Sequence, residues 1–565
     1  MNTDTQQVEA RARVSAGPRP GADESHLPNR RIWLGRVLGP VLAFATYFLL
    51  PQDAALSTPA RTTASVVVLV AVWWMTEAMP LAVTSLVPIV AFPLLGVLEI
   101  GDATAPYAHP TVFLFLGGFV IALAMQKWNL HKRIALLTMR AIGTKPRQLV
   151  LGVMVATAFL SMWVSNTATT LMMLPIGTSV LALVIAKRTG ADSTDNLDNA
   201  ENAENTDSAA DAGEGEGTSD ADAGIGGPVS ELAADKDTQN FATGLMLAIA
   251  FAATIGGLAT LIGSPPNLIL SGFVEQNYDI TIAFADWMKV GVPLSAVFLV
   301  IAWLLLTRVI YPTRLTDVVG GKEVIQEEID KLGRMSRGEW NVLAVFTTAA
   351  LLWVFKEPLT DWSGLTSVLP FMGRLTDEAV AIAAVIALFL IPAARSTRER
   401  GMTMTMDWRT AQSGIPWGVL LLFGGGLSLA KAVQETKLSD WIGTKMSGLG
   451  SLPTVLLIGT VCLIILMLTE LTSNTATAST FLPVLGGVAV GIGLDPLLLL
   501  APAALAATCS FMLPVGTPPN AIVFGSGHVT MPQMIRAGLW LNLVGVVLIT
   551  AMVMLLGGWA LGISF

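Results

Sequence analysis

Long apolar stretches separated by short polar segments fill the chain from residue 37 to its end. They predict membrane-spanning helices, because about 20 apolar residues are needed to cross the hydrocarbon core of a bilayer. The predicted stretches are 37–51, 63–79, 81–98, 111–127, 148–186, 241–275, 290–310, 340–356, 377–393, 416–433, 452–493, 496–526 and 537–560. The pattern is therefore that of an all-α polytopic membrane protein.

Two of these stretches are interrupted near their middle by the same polar tripeptide. The stretch 148–186 contains 165-SNT-167, and the stretch 452–493 contains 473-SNT-475. Each arm of the first stretch has only about 17–19 residues, which is marginal for a complete crossing. We therefore predict two re-entrant hairpins, each with a Ser-Asn-Thr tip at membrane depth.

The two tips belong to an internal repeat. The segment 165-SNTATTLMMLP-175 recurs as 473-SNTATASTFLP-483, at a spacing of 473 − 165 = 308 residues. A second pair, 263-GSPPN-267 and 516-GTPPN-520, follows at a spacing of 516 − 263 = 253 residues. The missing 308 − 253 = 55 residues correspond to an acidic insertion after Ala186. The chain therefore consists of two related halves.

The positions of lysine and arginine predict how the halves are oriented, because cytoplasmic loops are enriched in both residues. A cytoplasmic N-terminus and an outside C-terminus leave few basic residues outside, namely Arg61, Lys289, Lys356, Arg374, Lys431, Lys437 and Lys445. The first hairpin then enters from the cytoplasm and the second from outside. Five crossings separate the halves, so the repeats have inverted topology. Inverted repeats with broken helices are typical of secondary transporters.

These patterns predict about 11 transmembrane helices plus two re-entrant hairpins in two inverted-topology repeats. The predicted segments are a disordered cytoplasmic tail (1–36), a first transmembrane helix (37–60), repeat 1 (61–311), a cytoplasmic linker (312–338) and repeat 2 (339–565). Within repeat 1, residues 189–238 are rich in Asp, Glu, Ala, Gly and Asn, and we predict a disordered cytoplasmic loop there.

Composition supports a membrane protein and argues against several other classes. Hydrophobic residues make up 53% of the chain and charged residues 13%, whereas soluble domains carry about 25% charged residues. The two cysteines lie in apolar runs and offer no disulfide framework or metal-ligand spacing. No nucleophile–base pair, metal cluster or phosphate-binding loop is visible, so we predict that the protein is not an enzyme. We also expect no nucleic-acid partner, and the paired breaks indicate an occluding site and not a continuous pore.

The four broken helices predict one central polar site, because backbone that leaves the helix at membrane depth must line a cavity or be buried in protein. We expect Thr167 and Thr475 to cap the helices that follow the tips, whose N–H groups would then face an anion. The carbonyls at Gly263 and Gly516, together with Ser and Asn oxygens, suit a small hard cation such as Na⁺.

Basic residues are missing from the predicted site. No Lys or Arg occurs from Val150 to Ala186 or from Ser451 to Ile535. Co-bound cations would balance the charge of an anion there, and the two motif sets suggest at least two cation sites. Glu470, near the second tip, is an intramembrane acid that is either a proton site or a structural hydrogen-bonding group.

The sequence resembles the divalent anion/sodium symporter family, which comprises sodium-coupled dicarboxylate, citrate and sulfate carriers. The resemblance extends from Arg61 to the C-terminus and rests on 73-WWMTEAMPLAVTSLVP-88, both tips, both Pro-Pro-Asn loops and 520-NAIVFGSG-527. It implies a homodimer in the lipid bilayer of the cell (inner) membrane. Each protomer would have a scaffold that dimerises and a transport part that moves as an elevator.

The resemblance also implies roles for individual residues by motif position. It implies sodium binding by Ser161, Ser165, Asn166 and Gly263, and at a mirror site by Thr469, Ser473, Asn474 and Gly516. It implies substrate binding by Ser165, Asn166, Thr167, Ser264, Ser473, Asn474, Thr475 and Thr517.

We therefore expect a secondary active transporter that imports a small dianionic C4-dicarboxylate, such as succinate, malate or fumarate, with Na⁺. The sequence leaves open a sodium-independent dicarboxylate exchanger and a citrate or sulfate carrier of the same family. A cation/proton antiporter or an oxyanion efflux permease on a related fold would be expected to carry an acidic or basic residue in the broken helices.

Overall fold

The computed structural model describes residues 30–51, 56–143, 145–189, 236–312, 321–395, 402–446 and 452–565. Within them the chain is an all-α polytopic membrane protein, as predicted. The described strands are the antiparallel pair β1 (Pro392–Arg395) and β2 (Met402–Met404). The acidic insertion 189–238 lies outside the described residues except at its two ends, as does most of the tail 1–36.

The helices of the first half begin with a pair at the N-terminus and continue through the first hairpin. They are α1 (Arg30–Leu49), α2 (Thr58–Thr76), α3 (Leu81–Thr84), α4 (Val87–Leu94), α5 (Ile100–Thr104), α6 (Pro110–Lys127), α7 (Leu130–Ile142), α8 (Pro146–Ser161), α9 (Asn166–Thr189), α10 (Lys236–Gly256), α11 (Pro265–Tyr278) and α12 (Phe284–Leu304). A 3₁₀ turn (Ala105–Ala108) precedes α6, and a π-helical turn (Leu305–Ile310) extends α12.

The helices of the second half repeat much of this order. They are α13 (Gly321–Leu332), α14 (Arg337–Val354), α15 (Lys356–Asp361), α16 (Ser363–Val368), α17 (Asp377–Leu390), α18 (Trp408–Gly414), α19 (Trp417–Glu435), α20 (Leu438–Lys445), α21 (Thr454–Thr469), α22 (Asn474–Gly491), α23 (Pro496–Thr508), α24 (Pro518–Gly525) and α25 (Met531–Leu561). A 3₁₀ turn (Pro370–Arg374) precedes α17.

The repeat detected in the sequence also sets where the paired helices begin. Helices α20, α21 and α22 start 438 − 130 = 308, 454 − 146 = 308 and 474 − 166 = 308 residues after α7, α8 and α9. Helix α24 starts 518 − 265 = 253 residues after α11. Both hairpins, α8–α9 and α21–α22, and both interrupted helices, α10–α11 and α23–α24, are therefore equivalent pairs.

Proline marks the first position of several helices around the site. Pro146, Pro265, Pro496 and Pro518 each occupy this position. Proline is favourable there because the first N–H groups of a helix have no partner within the helix and the ring fixes a helical φ angle. The Pro-Pro pairs thus restart α11 and α24 immediately after the polar loops.

Three predicted boundaries are wrong. Helix α1 begins at Arg30, inside the predicted tail, and ends at Leu49, well before residue 60. Its basic residues are helical because they bind the end of α2: Arg31 Nη2 donates to Met75 O at 2.6 Å and Arg36 Nε donates to Ala78 O at 2.9 Å. Helix α10 begins at Lys236, within the predicted insertion.

The third wrong prediction concerns the linker 312–338, because these residues contain helix α13 and the start of α14. Helix α13 packs against α7, and Lys132 of α7 pairs with Glu328 of α13 at 2.9 Å. Arg133 of α7 pairs with Glu339 of α14 at 2.6 Å, and both side chains are buried. Burial alone would raise the pKa of Glu339, but the hydrogen bonds from Arg133 and Ser336 lower it below its usual range.

We define two groups of helices. The site group contains α8–α12 and α21–α25, and the frame group contains α1–α6, α14, α17 and α19. The two groups are in contact, because α11 and α22 of the site group pack against α19 of the frame group. Among the described residues, six helical segments are long and apolar enough to span a membrane by themselves, namely Arg31–Leu49, Ile100–Lys127, Lys236–Gly256, Phe284–Ile310, Trp417–Glu435 and Met531–Leu561. Of the hairpin arms and interrupted helices, α10 is one of these six, whereas α8, α11, α21, α23 and α24 have 16, 14, 16, 13 and 8 residues.

Candidate functional site

Behind each hairpin tip lies a hydroxyl group that faces two oxygen atoms. Ser161 Oγ lies 2.6 Å from Asn166 Oδ1 and 2.7 Å from the carbonyl oxygen of Ala253. The second half reproduces this arrangement, because Thr469 Oγ1 lies 2.7 Å from Asn474 Oδ1 and 2.9 Å from Ala507 O. Ser161 and Thr469 are both fully buried. A hydroxyl carries one proton, so each can donate to only one of its two oxygen neighbours.

The Asn166 amide lies in a particularly oxygen-rich position. Its terminal atom nearest Ser161 also lies 3.2 Å from Ala253 O and 3.3 Å from Gly263 O. With oxygen at that position, the amide faces mainly acceptors; turned over, its nitrogen would donate to all three. A hard cation resolves such a conflict, because it is held by oxygen atoms alone. The Ser161 hydroxyl and the carbonyl oxygens of Ala253 and Gly263 therefore converge on one terminal atom of the Asn166 amide behind the first tip.

The asparagines of the Pro-Pro-Asn motifs hold the two loops in matching shapes. Asn267 Nδ2 donates to Gly257 O at 2.9 Å and to Thr260 O at 2.8 Å. Asn520 Nδ2 donates to Ser510 O at 3.2 Å and to Leu513 O at 3.1 Å. The acceptors are equivalent, since 510 − 257 = 253 and 513 − 260 = 253. Each motif thus turns its own loop back over the start of the following helix.

The two halves differ in how the loop is attached to the hairpin tip. In the first half Thr260 makes the attachment: its Oγ1 donates to Met162 O and accepts from Gly263 N at 3.0 Å. In the second half the position of Met162 is taken by Glu470 and that of Thr260 by Leu513. The carboxylate then takes over the role of the threonine.

Glu470 is buried and accepts hydrogen bonds from five donors. The donors are Ser510 Oγ (2.9 Å), Phe511 N (2.8 Å), Met512 N (3.0 Å), Leu513 N (3.1 Å) and Asn542 Nδ2 (2.7 Å). Three of them are consecutive backbone N–H groups of the loop that leads to Gly516. Of the two roles left open by the sequence, this arrangement fits the structural hydrogen-bonding group.

Replacing Glu470 by glutamine tests this role. Glu470→Gln retains the size of the side chain but turns an NH₂ group toward N–H donors. Because an unpaired buried donor costs about 1–3 kcal/mol, we expect the sodium affinity that the family resemblance implies to fall about tenfold. Ser510→Ala, which removes only one donor, should change it much less. Sodium titration of transport in both variants measures the effect, and an unchanged titration in Glu470→Gln would contradict the role.

A cavity of about 890 Å³ joins the four motifs. The residues predicted to bind substrate all line it, namely Ser165, Asn166, Thr167, Ser264, Ser473, Asn474, Thr475 and Thr517. Gly263 and Gly516 also line it, whereas Ser161 and Thr469 lie behind the tips. The halves are linked beside the cavity, where Ser264 Oγ lies 3.1 Å from Thr508 Oγ1. The structure therefore brings all the predicted site residues together.

The prediction that Thr167 and Thr475 cap the helices after the tips is wrong. Helix α9 begins at Asn166 and α22 at Asn474, so both threonines lie within the first turn. The serines lie directly before these helices. Ser165 Oγ accepts from Ala168 N at 3.3 Å, and Ser473 is the N-cap of α22. The N-termini of α9, α11, α22 and α24 nevertheless all meet at the cavity, where their partial positive charges favour an anion.

The sequence did not reveal the loop-holding roles of Asn267, Asn520, Thr260 and Glu470. The repeated Pro-Pro-Asn motif was a signal for the two asparagines, because it places the same amide after each break. No such signal showed that Glu470 has in the second half the role that Thr260 has in the first. The two residues occupy different positions of the repeat, and their contacts join distant parts of the chain. Among the described residues, no cluster of three or more His, Cys, Asp or Glu side chains that could hold a metal ion was found.

Comparison with known proteins adds to this geometry. Residues 31–563 match the family model of the sodium:sulfate symporter transmembrane region. The chain is 40% identical over 522 residues to the sodium-dependent dicarboxylate transporter SdcS of Staphylococcus aureus strain USA300, over 92% of this chain and 90% of that protein. It is also 40% identical over 533 residues to SdcS of strain MRSA252, over 94% of this chain and 92% of that protein.

The fold is also similar to that of a solved structure. Neisseria gonorrhoeae MtrF, whose structure is described as representing a class of antimetabolite efflux pumps, superposes with a TM-score of 0.52. The match covers 95% of this chain and 96% of that chain at 12% sequence identity. At this identity the likeness concerns the fold alone.

Proposed function

The chain belongs to the sodium:sulfate symporter family, a family of membrane transporters and not of enzymes, and on this premise we propose that it imports C4-dicarboxylates together with Na⁺. Succinate, malate and fumarate are the proposed substrates. The S. aureus proteins named sodium-dependent dicarboxylate transporters are similar to this chain over more than nine-tenths of its length, which supports both the coupling ion and the substrate class.

The observation that carries the proposal is the paired arrangement of oxygens and helix ends around one cavity. Each hairpin tip presents an asparagine whose amide is held from behind by a hydroxyl, at Ser161 in one half and Thr469 in the other. In front of the asparagines, the helix N-termini face the cavity. Oxygen groups behind and N–H groups in front suit a cation and an anion on opposite sides of the same tip.

Sodium would bind first at the two mirror-related positions. Ser161, Ser165, Asn166 and Gly263 would contribute to one position, and Thr469, Ser473, Asn474 and Gly516 to the other. The amide oxygen of each asparagine would bind a cation, which would fix the Asn166 and Asn474 side chains at the tips; the Asn474 NH₂ group also donates to Thr508 O at 3.1 Å. Binding of the ion orders the tip. The dianion then binds to an ordered tip, so its binding free energy is not reduced by the free energy of ordering.

The dianion would then bind between the tips. Helix N-termini carry about half a positive charge each, and the hydroxyl groups of Thr167, Thr475, Ser264 and Thr517 can donate to carboxylate oxygens. The described residues of the broken helices place no lysine or arginine at the tips. Bound sodium ions would supply the remaining positive charge, which explains in physical terms why the anion and the cations move together.

Transport would proceed by movement of the site group against the frame group. The cavity is lined by the N-terminal end of α1, the C-terminal ends of α2 and α6 and the start of α19, so it leads to one side of the protein. With the N-terminus in the cytoplasm, this is the inward-facing state. We propose a homodimer of such protomers in the cell membrane, each with an elevator motion of its site group.

Radiolabelled succinate uptake into proteoliposomes tests the proposal. Liposomes that contain the purified protein should accumulate succinate with an inward sodium gradient, but not with an inward proton gradient or without a gradient. Excess malate or fumarate should compete. Uptake that ignores sodium and needs internal dicarboxylate would instead identify an exchanger. No succinate transport under any condition would overturn the substrate class and direct the search to citrate and sulfate.

A further inference from the structure

Only two charged side chains are among the described residues that line the central cavity, and they have opposite signs. Arg31 lies in the first turns of α1, and Glu77 follows the last residue of α2. The hairpin tips and the Pro-Pro-Asn loops contribute only uncharged groups to the lining. Both charges therefore lie where the cavity reaches the ends of the helices, at its mouth, and not at the tips.

Arg31 is held at the mouth by one hydrogen bond and has further donors. Its Nη2 donates to the carbonyl oxygen of Met75 at 2.6 Å, in the last turn of α2, and the residue as a whole is exposed. This contact caps the helix C-terminus, whose partial negative charge favours a cation. A guanidinium carries five N–H donors in a rigid plane, so groups remain for an anion in the cavity.

Glu77 is held at the mouth by its backbone. It has φ 53° and ψ 39°, the left-handed conformation, and its N–H donates to Trp73 O as the C-cap of α2. This conformation is unfavourable for a residue with a Cβ, and glycine adopts it most readily. The exposed carboxylate is thus presented at a turn where the backbone alone would favour another residue. Strained positions of this kind cluster at functional sites.

We propose that Arg31 and Glu77 form a charged mouth that sets the affinity of the cavity for a dianion on the N-terminal side of the membrane. The inference rests on the proposed function, since it requires a dianionic substrate. Arg31 attracts the dianion and Glu77 repels it, so the two side chains act in opposite directions. Neither touches the tips; they tune retention and release in the inward-facing state and thereby the asymmetry between import and export.

The physical basis is the focusing of an electric field by low-dielectric walls. A cleft with a charged lining changes the local concentration of a charged ligand by about tenfold or more. A dianion feels each charge twice as strongly as a monoanion does. Because the mouth is open to solvent, salt screens the effect with a Debye length of about 10 Å at 0.1 M ionic strength. With the proposed movement of the site group, a dianion that binds from the opposite side of the membrane would reach the tips without passing either residue.

The variants Arg31→Gln and Glu77→Gln test the proposal with Arg36→Gln as a matched control. Arg36 lies on α1 like Arg31, and its side chain also donates to a backbone carbonyl oxygen, that of Ala78 just beyond the end of α2. Unlike Arg31, it does not line the cavity. Right-side-out and inside-out membrane vesicles, with equal sodium on both sides and no voltage, give the KM for succinate from each side. The N-terminal side is identified by protease access to an N-terminal tag.

In Arg31→Gln we expect the ratio of the KM on the N-terminal side to that on the opposite side to rise about threefold to tenfold. The maximal rate from the N-terminal side, divided by that from the opposite side, should rise by the same factor. Without gradients kcat/KM must be equal in the two directions, so a change in the KM ratio requires an equal change in the ratio of the maximal rates. Glu77→Gln should lower both ratios, Arg31→Lys should restore them, and Arg36→Gln should leave them unchanged. Added choline chloride should reduce the difference between Arg31→Gln and the unaltered protein.

Several outcomes would overturn the inference. Unchanged ratios in Arg31→Gln or in Glu77→Gln would do so, and so would a shift of both variants in the same direction or an equal shift in Arg36→Gln. If Arg31→Gln does not reach the membrane, Glu77→Gln decides alone, because it retains the α1 contact. Vesicles of the unaltered protein that show no sodium-driven succinate flux would instead refute the proposed function itself.

Discussion

Alanine at Asn166 is expected to reduce sodium-driven succinate uptake about 100-fold or more, and alanine at Asn474 to do the same, because each change removes a buried amide oxygen and leaves its partners unpaired. In the structure Ser161 Oγ lies 2.6 Å from Asn166 Oδ1, and Thr469 Oγ1 lies 2.7 Å from Asn474 Oδ1. Asn474 Nδ2 also donates to Thr508 O at 3.1 Å. Each variant would therefore lose a cation ligand and a group that fixes its tip.

Asn341→Ala provides the matched control for both variants. The Asn341 amide also donates to a backbone carbonyl, Pro392 O at 3.2 Å, and to a hydroxyl, Thr405 Oγ1 at 3.0 Å, but it lies outside the cavity lining. Uptake is measured in proteoliposomes with equal amounts of monodisperse protein. Robust uptake by both Asn166→Ala and Asn474→Ala would refute the site assignment, whereas loss of uptake in Asn341→Ala as well would point to a general defect in folding.

Alanine at Gly257 should have the second large effect. A Cβ atom at this position would lie 2.8 Å from Asn166 Oδ1 and 3.0 Å from Gly263 O. The methyl group would thus occupy the space between two oxygens proposed to hold sodium. Overpacking of this kind costs about 1–3 kcal/mol, so we expect the sodium concentration for half-maximal uptake to rise about fivefold to 100-fold, since each 1.4 kcal/mol changes an affinity tenfold.

Gly459→Ala is the control for Gly257→Ala. Gly459 lies in the membrane helix α21, where a Cβ would be 3.8 Å from its nearest neighbour, Thr550 Oγ1. Sodium titration of succinate uptake should therefore be nearly unchanged in this variant. An unchanged titration in Gly257→Ala would show that the space beside Asn166 holds no ion during transport.

Much of the fold could be predicted because the internal repeat can be recognised from the sequence alone. The offset of 308 residues between the tips also separates the first residues of α7 and α20, α8 and α21, and α9 and α22. The apolar pattern and low charge content correctly predicted an all-α membrane protein, and the motifs correctly predicted the family. The residues named from those motifs lie around one cavity because the hairpins and loops of both halves meet there.

The remaining features depend on contacts between distant positions, which no local pattern reveals. The beginning of α1 was missed because Arg31 and Arg36 resemble residues of a polar tail, yet both bind the end of α2. Helix α13 was missed because its charges are typical of a linker, although Glu328 pairs with Lys132 of α7. The role of Glu470 becomes clear only when Asn542 and the loop after α23 are seen around it.

The asymmetry between the two halves has a consequence for transport. The first loop is attached to its tip by the hydroxyl of Thr260, and the second by the carboxylate of Glu470. A buried carboxylate near the second proposed cation position would add negative charge that the first proposed position lacks, and an opposite charge stabilises a cation. We therefore expect the two sodium positions to differ in affinity, with the second the tighter.

The central claim is that sodium at the tips prepares the cavity for the dianion, and succinate binding to the purified protein tests it most directly. Isothermal titration calorimetry at constant ionic strength, in sodium chloride and in choline chloride, measures the affinity in both conditions. We predict a saturable binding signal in sodium and none in choline, with loss of the sodium signal in Asn166→Ala and Asn474→Ala. Equal succinate affinity in sodium and in choline would contradict the coupling at the tips.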